Sequence, residues 1–547
     1  MSMSNAKYHL NQISAEQQLD KLWLLIDQQK ASDATTACQR FTKQYPSNAD
    51  GWFALSFLQF QLRQASDALC SIDNAIIIEP DNAQWQVHKA HTLLLLNKKT
   101  QALELIEILD DAALNVADVC AELAMVCNKL SDFNNAEKYY QKAISLTKQA
   151  DKKAQLYFNL AAIERFQGKI DRAEANLELA LNINPFDYEA NLLLSSLRKQ
   201  TSQKNHLKQL SHLLSSGIEQ PINQAQIHYA LAKELEDLTQ YAASFKSLAQ
   251  GAKIRRDHIR YDVAQDIATI NQIIATFNQP FIAQQVQKNE PRCHNTEAIF
   301  VLGLPRTGST LIERIISNHS DVDSAGELNN FSVQMMNQVK AYVNKQGLQA
   351  PQSKAELVTL TSQLDFSTLG KAYIDSTRPN TGKSKCFIDK LPLNSLYVGL
   401  IHLALPKAKI VHVTRHPLDT CYAIYKQLFT QGYPFSYDLT ELGEYYIAHH
   451  KMMLHWQKVL PNSIYLVAYE DVIDNTEEQA KALIEYCELN WQRQCIEFNN
   501  NQAPSTTASA SQVRQGIYKS SKGKWRNYVQ QLTPLKAQLE QAGICCD

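Results

Sequence analysis

The 547-residue chain contains little glycine and little proline, with 16 residues of each. This scarcity excludes collagen-like, mucin-like and largely disordered chains, and the abundant Ala, Leu, Gln and Lys favour a high helical content. An excess of charge of one sign is also missing, because 54 Lys and Arg face 55 Asp and Glu, for a net charge of −1. We therefore expect no nucleic-acid or membrane partner, and any phosphate binding must be local.

Long apolar runs and paired cysteines are absent as well. No stretch reaches the roughly 18 apolar residues that a membrane-spanning helix needs, and the first residues lack the basic and apolar regions of a secretory signal. The eleven cysteines are odd in number, scattered and without a C-x-x-C pair, which argues against a zinc site or a disulfide framework. We expect a cytoplasmic protein that uses no metal.

A repeat of about 34 residues runs through the amino-terminal half. It is marked by alanines that are 34, 34 and 37 residues apart, each after a short polar turn: Ala68, Ala102, Ala136 and Ala173. Pro80 and Pro185 close two of the segments that follow these alanines. Each unit is therefore predicted to be two antiparallel helices, with a proline after the second. The pattern resembles tetratricopeptide repeats over roughly residues 15–255.

Repeats of this kind stack into a concave surface that commonly binds a peptide or a partner protein. We predict a helical domain at residues 1–285 that docks a protein or peptide. The alternative is that the helices serve only as a packing or dimerisation module, which would allow the chain to form a homodimer.

The pattern changes after a predicted linker at residues 286–297. An apolar run from Ala298 to Leu302 is typical of a buried strand, and a helical pattern begins near residue 311. Between them stands the string Gly303-Leu304-Pro305-Arg306-Thr307-Gly308-Ser309-Thr310. A strand, a glycine-containing loop and a helix form a phosphate-binding arrangement, because backbone N–H groups and the helix N-terminus converge on an anion.

The two glycines have the spacing of a Walker A motif, but Ser309 stands where an ATPase has its lysine. The cation is instead Arg306, inside the loop. This favours a single phosphate flanked by hydroxyl groups, and it disfavours a kinase or an ATPase, which needs a cation on the β- and γ-phosphates.

At this string the chain resembles the phosphosulfate-loop sulfotransferases, and most closely the tetratricopeptide repeat-containing sulfotransferases whose catalytic domain is related to protein-tyrosine sulfotransferases. The resemblance runs from about residue 297 to the C-terminus. It implies a P-loop-like α/β domain with a parallel sheet at residues 298–547, behind the α-helical solenoid. It also implies that the donor is 3′-phosphoadenosine 5′-phosphosulfate, with 3′-phosphoadenosine 5′-phosphate as the product. The residues that it assigns to the 5′-phosphosulfate are Arg306, Thr307, Gly308, Ser309 and Thr310.

Arg415 matches the family arginine that binds the 3′-phosphate, and it follows a strand-like run at residues 409–414. The family usually has a serine eight residues later, where this chain has Ala423. This departure predicts weaker donor binding unless Thr420, Tyr422 or a water molecule substitutes for the missing hydroxyl.

Sulfuryl transfer requires a base for the acceptor hydroxyl and positive charge beside the leaving oxygen. The resemblance implies that Glu327 is the base and that Lys390 stabilises the leaving group. His319 is the rival base, because an imidazole has this role in other branches of the family. The alternatives are a local ion pair or cap for Glu327 and a solvated strand-end charge for Lys390.

The C-terminal part adds further candidates for the donor site. Tyr469 follows another strand-like run and resembles the family tyrosine beside the nucleotide, and a plain core aromatic is the alternative. The closing stretch at residues 514–526 is rich in cations and hydroxyl groups, which suits a doubly phosphorylated nucleotide. The residues chosen there are Arg514, Tyr518, Ser520 and Ser521.

The sequence thus predicts a sulfotransferase that acts on a hydroxyl acceptor. A peptide tyrosine is suggested by the family branch and the repeats, whereas a glycan, a lipid or a small alcohol stays open. The alternative is a repeat-based scaffold with an inactive nucleotide-binding domain, which Ala423 raises. The polar segment at residues 344–385 is predicted to be an irregular insertion around a short helix, suited to a lid or an acceptor wall.

Overall fold

The computed structural model describes residues 14–28, 31–96, 98–109, 115–288, 292–381, 384–430, 432–497 and 521–547. The chain divides into two compact units, Met1–Asn184 and Pro185–Asp547. The sequence instead predicts that the helical domain ends at residue 285. This limit stays a prediction, because a compact unit need not coincide with the repeat region.

The described part of the first unit is helical throughout. Its helices are α1 (Ala15–Asp27), α2 (Ala31–Gln44), α3 (Ala49–Gln61), α4 (Ala65–Ile78), α5 (Ala83–Leu95), α6 (Lys99–Glu107), α7 (Ala117–Lys129), α8 (Phe133–Leu146), α9 (Ala150–Phe166) and α10 (Ile170–Ile183).

The periodic alanines occupy the same place in successive even-numbered helices, near their amino-terminal ends. All four are fully buried: Ala68 in α4, Ala102 in α6, Ala136 in α8 and Ala173 in α10. Small side chains at these positions let neighbouring helices approach closely, whereas a larger side chain would overpack the contact. Pro80 and Pro185 follow the ends of α4 and α10, as expected of prolines that end a helix. The repeat architecture predicted from the period is confirmed.

The second unit begins with six helices and continues with the sheet. The six are α11 (Tyr188–Leu197), α12 (Leu207–Ser215), α13 (Pro221–Asp237), α14 (Tyr241–Asp257), α15 (Val263–Thr276) and α16 (Gln279–Gln287). Then follow β1 (Ala298–Leu302), α17 (Ser309–Ser317), β2 (Val322–Ser324), α18 (Asn330–Gln346), α19 (Lys354–Thr361), α20 (Phe366–Thr377), β3 (Cys386–Lys390), α21 (Val398–Ala404), β4 (Lys409–Thr414), α22 (Pro417–Tyr425), α23 (Leu439–Val459), β5 (Ile464–Ala468), α24 (Tyr469–Asp474), α25 (Thr476–Tyr486) and α26 (Val529–Gln541).

The five strands form one parallel sheet in the order β2-β3-β1-β4-β5. The central strand β1 is buried along its whole length, which accounts for its unbroken apolar sequence. In its pairing with β3, Val301 lies opposite Lys390, and in its pairing with β4, Leu302 lies opposite His412. The carboxyl ends of β3, β1 and β4 therefore meet at one edge of the sheet, where ligands of open α/β sheets bind. The predicted fold class is confirmed.

The segment at residues 344–385 is more regular than the sequence predicts. It contains α19 and α20, and α20 places Leu369 and Tyr373 in the core with no exposed surface. A helix anchored in this way is a part of the core, so the prediction of irregular structure is wrong for α20. Among the residues that the structure describes, no helix combines the length and the apolar character needed to cross a membrane.

Candidate active site

The loop between β1 and α17 is closely packed against neighbouring backbone and side chains. A Cβ atom on Gly303 (φ +145°) would lie 2.4 Å from the carbonyl oxygen of Val413, and one on Gly308 (φ +100°) would lie 2.3 Å from Cδ2 of Tyr469. Glycine is therefore required at both positions by conformation and by space. The hydroxyl group of Thr307 donates to the carbonyl oxygen of Leu304 at 2.8 Å and closes the loop on itself.

The end of this loop is also the start of a helix. Ser309 and Thr310 form the first turn of α17, and both are buried. The unpaired N–H groups of a helix N-terminus attract anions. Arg306, in the same loop, has a left-handed backbone (φ +66°), a conformation that is uncommon for a residue with a side chain and that recurs at functional sites.

Arg415 links the loop to the C-terminal segment. Its Nη1 donates to the carbonyl oxygen of Arg306 at 3.2 Å, and its Nη2 donates to the carbonyl oxygen of Ser521 at 2.5 Å. The guanidinium group lies 5.1 Å from the centre of the Tyr469 ring, and the Tyr469 hydroxyl lies 2.8 Å from Oγ of Ser521. The structure thus brings together four residues that the sequence singles out from four separate segments.

One atom of Arg415 has no partner in this arrangement. Its Nε is buried and makes no hydrogen bond with the residues that the structure describes. A buried donor of a charged group is costly to leave unpaired, so an anion at this place would be favoured. The donor set therefore fits a phosphate group.

Lys390 and Glu327 form a pair at the carboxyl end of β3. Nζ of Lys390 lies 2.5 Å from Oε1 of Glu327 and 4.0 Å from Oε2 of Glu313. The Lys390 side chain is 3% exposed, whereas that of Glu327 is 49% exposed. The lysine is therefore held inside the protein, and the carboxylate of Glu327 is accessible to a second molecule.

A buried carboxyl group lies next to this pair in the sequence. Asp389 accepts hydrogen bonds from the Tyr373 hydroxyl at 2.8 Å and from Nδ2 of Asn394 at 3.1 Å. Burial raises the pKa of Asp389 to about 7, although these hydrogen bonds oppose the shift. Sequence reasoning missed this group, because its partner Tyr373 lies in the segment predicted to be irregular.

His319, the rival base, is engaged elsewhere. Its Nδ1 accepts from the backbone N–H of Asp321 at 3.1 Å, so its Nε2 carries the proton and donates to the carbonyl oxygen of Asn490 at 2.8 Å. The ring is buried and joins two backbone segments. This geometry supports a structural role for His319.

Buried histidines lie behind the loop. A cavity of about 40 Å³ is lined by Thr307, Arg415 and Thr420 together with His412 and His449. Burial lowers the pKa of His412 to about 4 and that of His449 to about 3. Both rings are thus neutral near pH 7, and the positive charge around the loop comes from arginine and lysine.

Some predicted residues cannot be placed. Arg514, Tyr518 and Ser520 lie outside the described residues, so their roles stay a prediction.

Ala423 is buried in α22. Of the two hydroxyl groups expected to compensate for it, that of Thr420 donates to the carbonyl oxygen of Arg415 at 3.3 Å, and that of Tyr422 donates to the carboxylate of Glu236.

Comparison with known proteins agrees with this architecture. The sulfotransferase family model matches residues 298–493, and a tetratricopeptide repeat model matches residues 113–185. The chain therefore carries a sulfotransferase-family domain, which follows tetratricopeptide repeats, as the resemblance predicts.

An uncharacterised protein of Aquifex aeolicus (strain VF5) is 32% identical over 376 residues, which are 67% of this chain and 48% of that protein. The match thus spans about half the length of that relative.

Among solved structures, the sulfotransferase domain of the Synechococcus PCC 7002 olefin synthase is 16% identical, and the match covers 44% of this chain and 91% of that chain with a TM-score of 0.31. A tetratricopeptide repeat protein of Thermus thermophilus is 18% identical, and the match covers 34% of this chain and 98% of that chain with a TM-score of 0.30.

Proposed function

We propose that the protein transfers the sulfuryl group of 3′-phosphoadenosine 5′-phosphosulfate to a hydroxyl acceptor. The observation that carries this proposal is the convergence of Arg415, Tyr469 and Ser521 on the loop that contains Arg306 and Gly308. The Lys390–Glu327 pair lies at the adjacent strand end, because β3 pairs with β1. The residues that we assign to phosphate binding and those that we assign to acid–base chemistry thus lie at one edge of the sheet.

The loop from Arg306 to Thr310 would hold the 5′ side of the donor, and Arg415 would hold its 3′-phosphate. The donor supplies a sulfuryl group on a good leaving phosphate. Glu327 accepts the proton of the acceptor hydroxyl as the new O–S bond forms and the S–O bond to the 5′-phosphate breaks. Lys390 faces the charge that develops on the leaving oxygen, where a fixed buried cation is most effective.

The accessible carboxylate of Glu327 supports an acceptor that approaches from solvent. We propose that this acceptor is a tyrosine of a peptide or protein, recruited by the tetratricopeptide repeats, since modules of this kind commonly bind proteins. The branch of the family that the sequence resembles also favours a tyrosine.

The test is calorimetric binding of adenosine 3′,5′-bisphosphate to the full chain, compared with ATP. We expect tight binding of the bisphosphate, weak binding of ATP, and loss of bisphosphate binding in Arg306→Ala and in Arg415→Ala. Arg378→Ala is the control, because Arg378 forms an exposed pair with Glu297. A preference for ATP would reject the proposal. Unchanged bisphosphate binding in both Arg306→Ala and Arg415→Ala would also reject it.

The acceptor is then tested by transfer of labelled sulfate to tyrosine-containing peptides, with their phenylalanine counterparts as controls. Label on the tyrosine peptides alone supports the acceptor class. Bisphosphate binding without transfer to any hydroxyl compound would favour the scaffold alternative, which the alanine at position 423 raises.

A further inference from the structure

Two lysines near the candidate donor site share one carboxylate. Nζ of Lys426 lies 2.9 Å from Oε1 of Glu236, and Nζ of Lys524 lies 3.4 Å from the same atom. The hydroxyl groups of Tyr422 and Tyr528 donate to the other oxygen, Oε2. Although burial acts to raise it, the pKa of Glu236 is lowered to about 2, chiefly by the two ammonium groups.

The charges in this group do not balance. One carboxylate faces two ammonium groups, and neither lysine has another carboxylate partner among the residues that the structure describes. The chain between residues 498 and 520, which lies outside them, contains no aspartate or glutamate. Surplus positive charge in a partly buried place favours the binding of an anion.

Lys426 ends the helix that follows Arg415. Thr420, Ala423 and Lys426 are three residues apart, so they follow one face of α22 and its C-terminal residue. The hydroxyl group of Thr420 donates to the carbonyl oxygen of Arg415 at 3.3 Å, which links the first turn of α22 to the end of β4. The charge of Arg306 is also near enough to contribute to the lowered pKa of Lys426, which burial chiefly causes.

Lys524 reaches the same place from the C-terminal segment. The backbone N–H groups of Gly523 and Trp525 donate to Asp419, at 2.6 Å and 3.1 Å, and hold this segment on α22. The carbonyl oxygen of Ser521, three residues before Lys524, accepts a hydrogen bond from Arg415. Both lysines therefore lie on elements that contact the Arg415 site.

The strand order indicates which end of the donor these lysines face. The sheet places β3 on one side of β1 and β4 on the other. Lys390 and Glu327, which act on the transferred group, lie at β3, whereas Arg415 and α22 follow β4. The phosphate that does not react must lie on the β4 side.

We propose that Lys426, assisted by Lys524 and held in place by Glu236, binds the 3′-phosphate of the donor and replaces the hydroxyl group that Ala423 lacks. This inference rests on the proposed function. Glu236 is in α13, outside the residues that match the sulfotransferase family, so a helix that precedes the sheet contributes a positioning residue to the nucleotide site.

The experiment compares two nucleotides by calorimetry on the full chain: adenosine 3′,5′-bisphosphate and adenosine 5′-monophosphate. We expect Lys426→Met to weaken bisphosphate binding at least tenfold and to change monophosphate binding less than twofold. Lys524→Met should weaken bisphosphate binding by a smaller factor. Lys481→Met is the matched control, because Lys481 is exposed on α25 and pairs with Glu477 on the surface.

Two further variants separate ligand binding from folding. Lys426→Arg should keep bisphosphate affinity within about threefold, since it retains the charge. The double variant Lys426→Met with Ala423→Ser should regain part of the lost affinity, because it restores one hydroxyl donor on the same helical face. Thermal unfolding of each variant shows whether it is folded at the temperature of the titration.

The outcomes are distinguishable. Bisphosphate binding that is unchanged in Lys426→Met, or an equal loss of both nucleotides, overturns this inference and leaves the proposed function standing. A wild-type protein that binds no bisphosphate overturns both. Selective loss of the bisphosphate, with the Lys481→Met control unaffected, supports the assignment.

Discussion

The ammonium group of Lys390 lies 2.5 Å from Oε1 of Glu327, and the two residues differ sharply in exposure. Lys390 is enclosed at the end of β3, whereas half of the Glu327 side chain is open to solvent. A fixed cation and an accessible carboxylate in contact suit a transfer reaction in which a proton is taken up at one group and charge develops at the other.

Glu327→Gln should therefore lower kcat for sulfuryl transfer by about 10²–10⁴-fold, because it removes the proposed general base. The affinity for adenosine 3′,5′-bisphosphate should stay within about threefold, because Glu327 is assigned to the acceptor. Steady-state kinetics and calorimetry check the two parts. Glu488→Gln is the control, since Glu488 forms an ion pair of the same length with Lys409. Lys409 is the first residue of β4, at the end of the strand that is remote from Arg415. Equal losses in both variants would remove Glu327 from the mechanism.

A second prediction concerns the contact between Gly308 and Tyr469. Gly308→Ala places a methyl group 2.3 Å from Cδ2 of Tyr469, so the ring must move away from Arg415 and Ser521. We expect bisphosphate binding to fall at least tenfold in calorimetry. Gly347→Ala is the matched control, because Gly347 also has positive φ (+64°) but has open space around its Cα. A similar loss in the control would show that backbone strain, and not the contact with Tyr469, is responsible.

Much of the site is predictable because it lies in short local patterns. The loop with Arg306 is visible as a strand, a glycine string and a helix, and Arg415 is visible as a cation at the end of an apolar run. The structure places both at the same sheet edge. Ala423 departs from the serine that the family usually has at this position. Lys426 could be found from the sequence as well, because it is the cation three residues later on the same helical face.

Other features depend on long-range packing that no local pattern shows. Glu236 meets Tyr422 across 186 positions of the sequence. Tyr373 reaches Asp389 because α20 packs into the core, although its segment has the glycine and polar residues of a loop. Such pairs follow from the tertiary fold, which overrides local composition.

A third prediction tests the small residues of the repeats. Ala173 is fully buried in α10, so Ala173→Leu should overpack the helix contact and lower the free energy of unfolding by about 1–3 kcal/mol. Ala175→Leu, two positions later and exposed, should change it by less than about 0.5 kcal/mol. Equilibrium urea unfolding of both variants checks this. Equal effects would contradict close helix packing at the repeat position.

The last prediction concerns Asp389, whose pKa is raised from 3.8 to about 7 by burial. Between these two values the folded protein keeps a proton that the unfolded chain releases, so Asp389 makes the folded state less stable as pH rises from about 4 to about 7. At roughly 1.4 kcal/mol for each pH unit, the loss reaches at most about 4 kcal/mol and is complete above pH 7.

Asp389→Asn removes this titration and keeps an acceptor for the Tyr373 hydroxyl. The stability of the variant relative to wild type should therefore improve steadily from pH 4.5 to pH 7 and then level off. Urea unfolding of both proteins at four pH values measures this difference, in which the contributions of all other groups cancel. Asp365→Asn is the control, because hydrogen bonds from Thr368 lower the pKa of Asp365 and place its effect below pH 4. A difference between wild type and Asp389→Asn that stays constant over this range would show that Asp389 is ionised throughout.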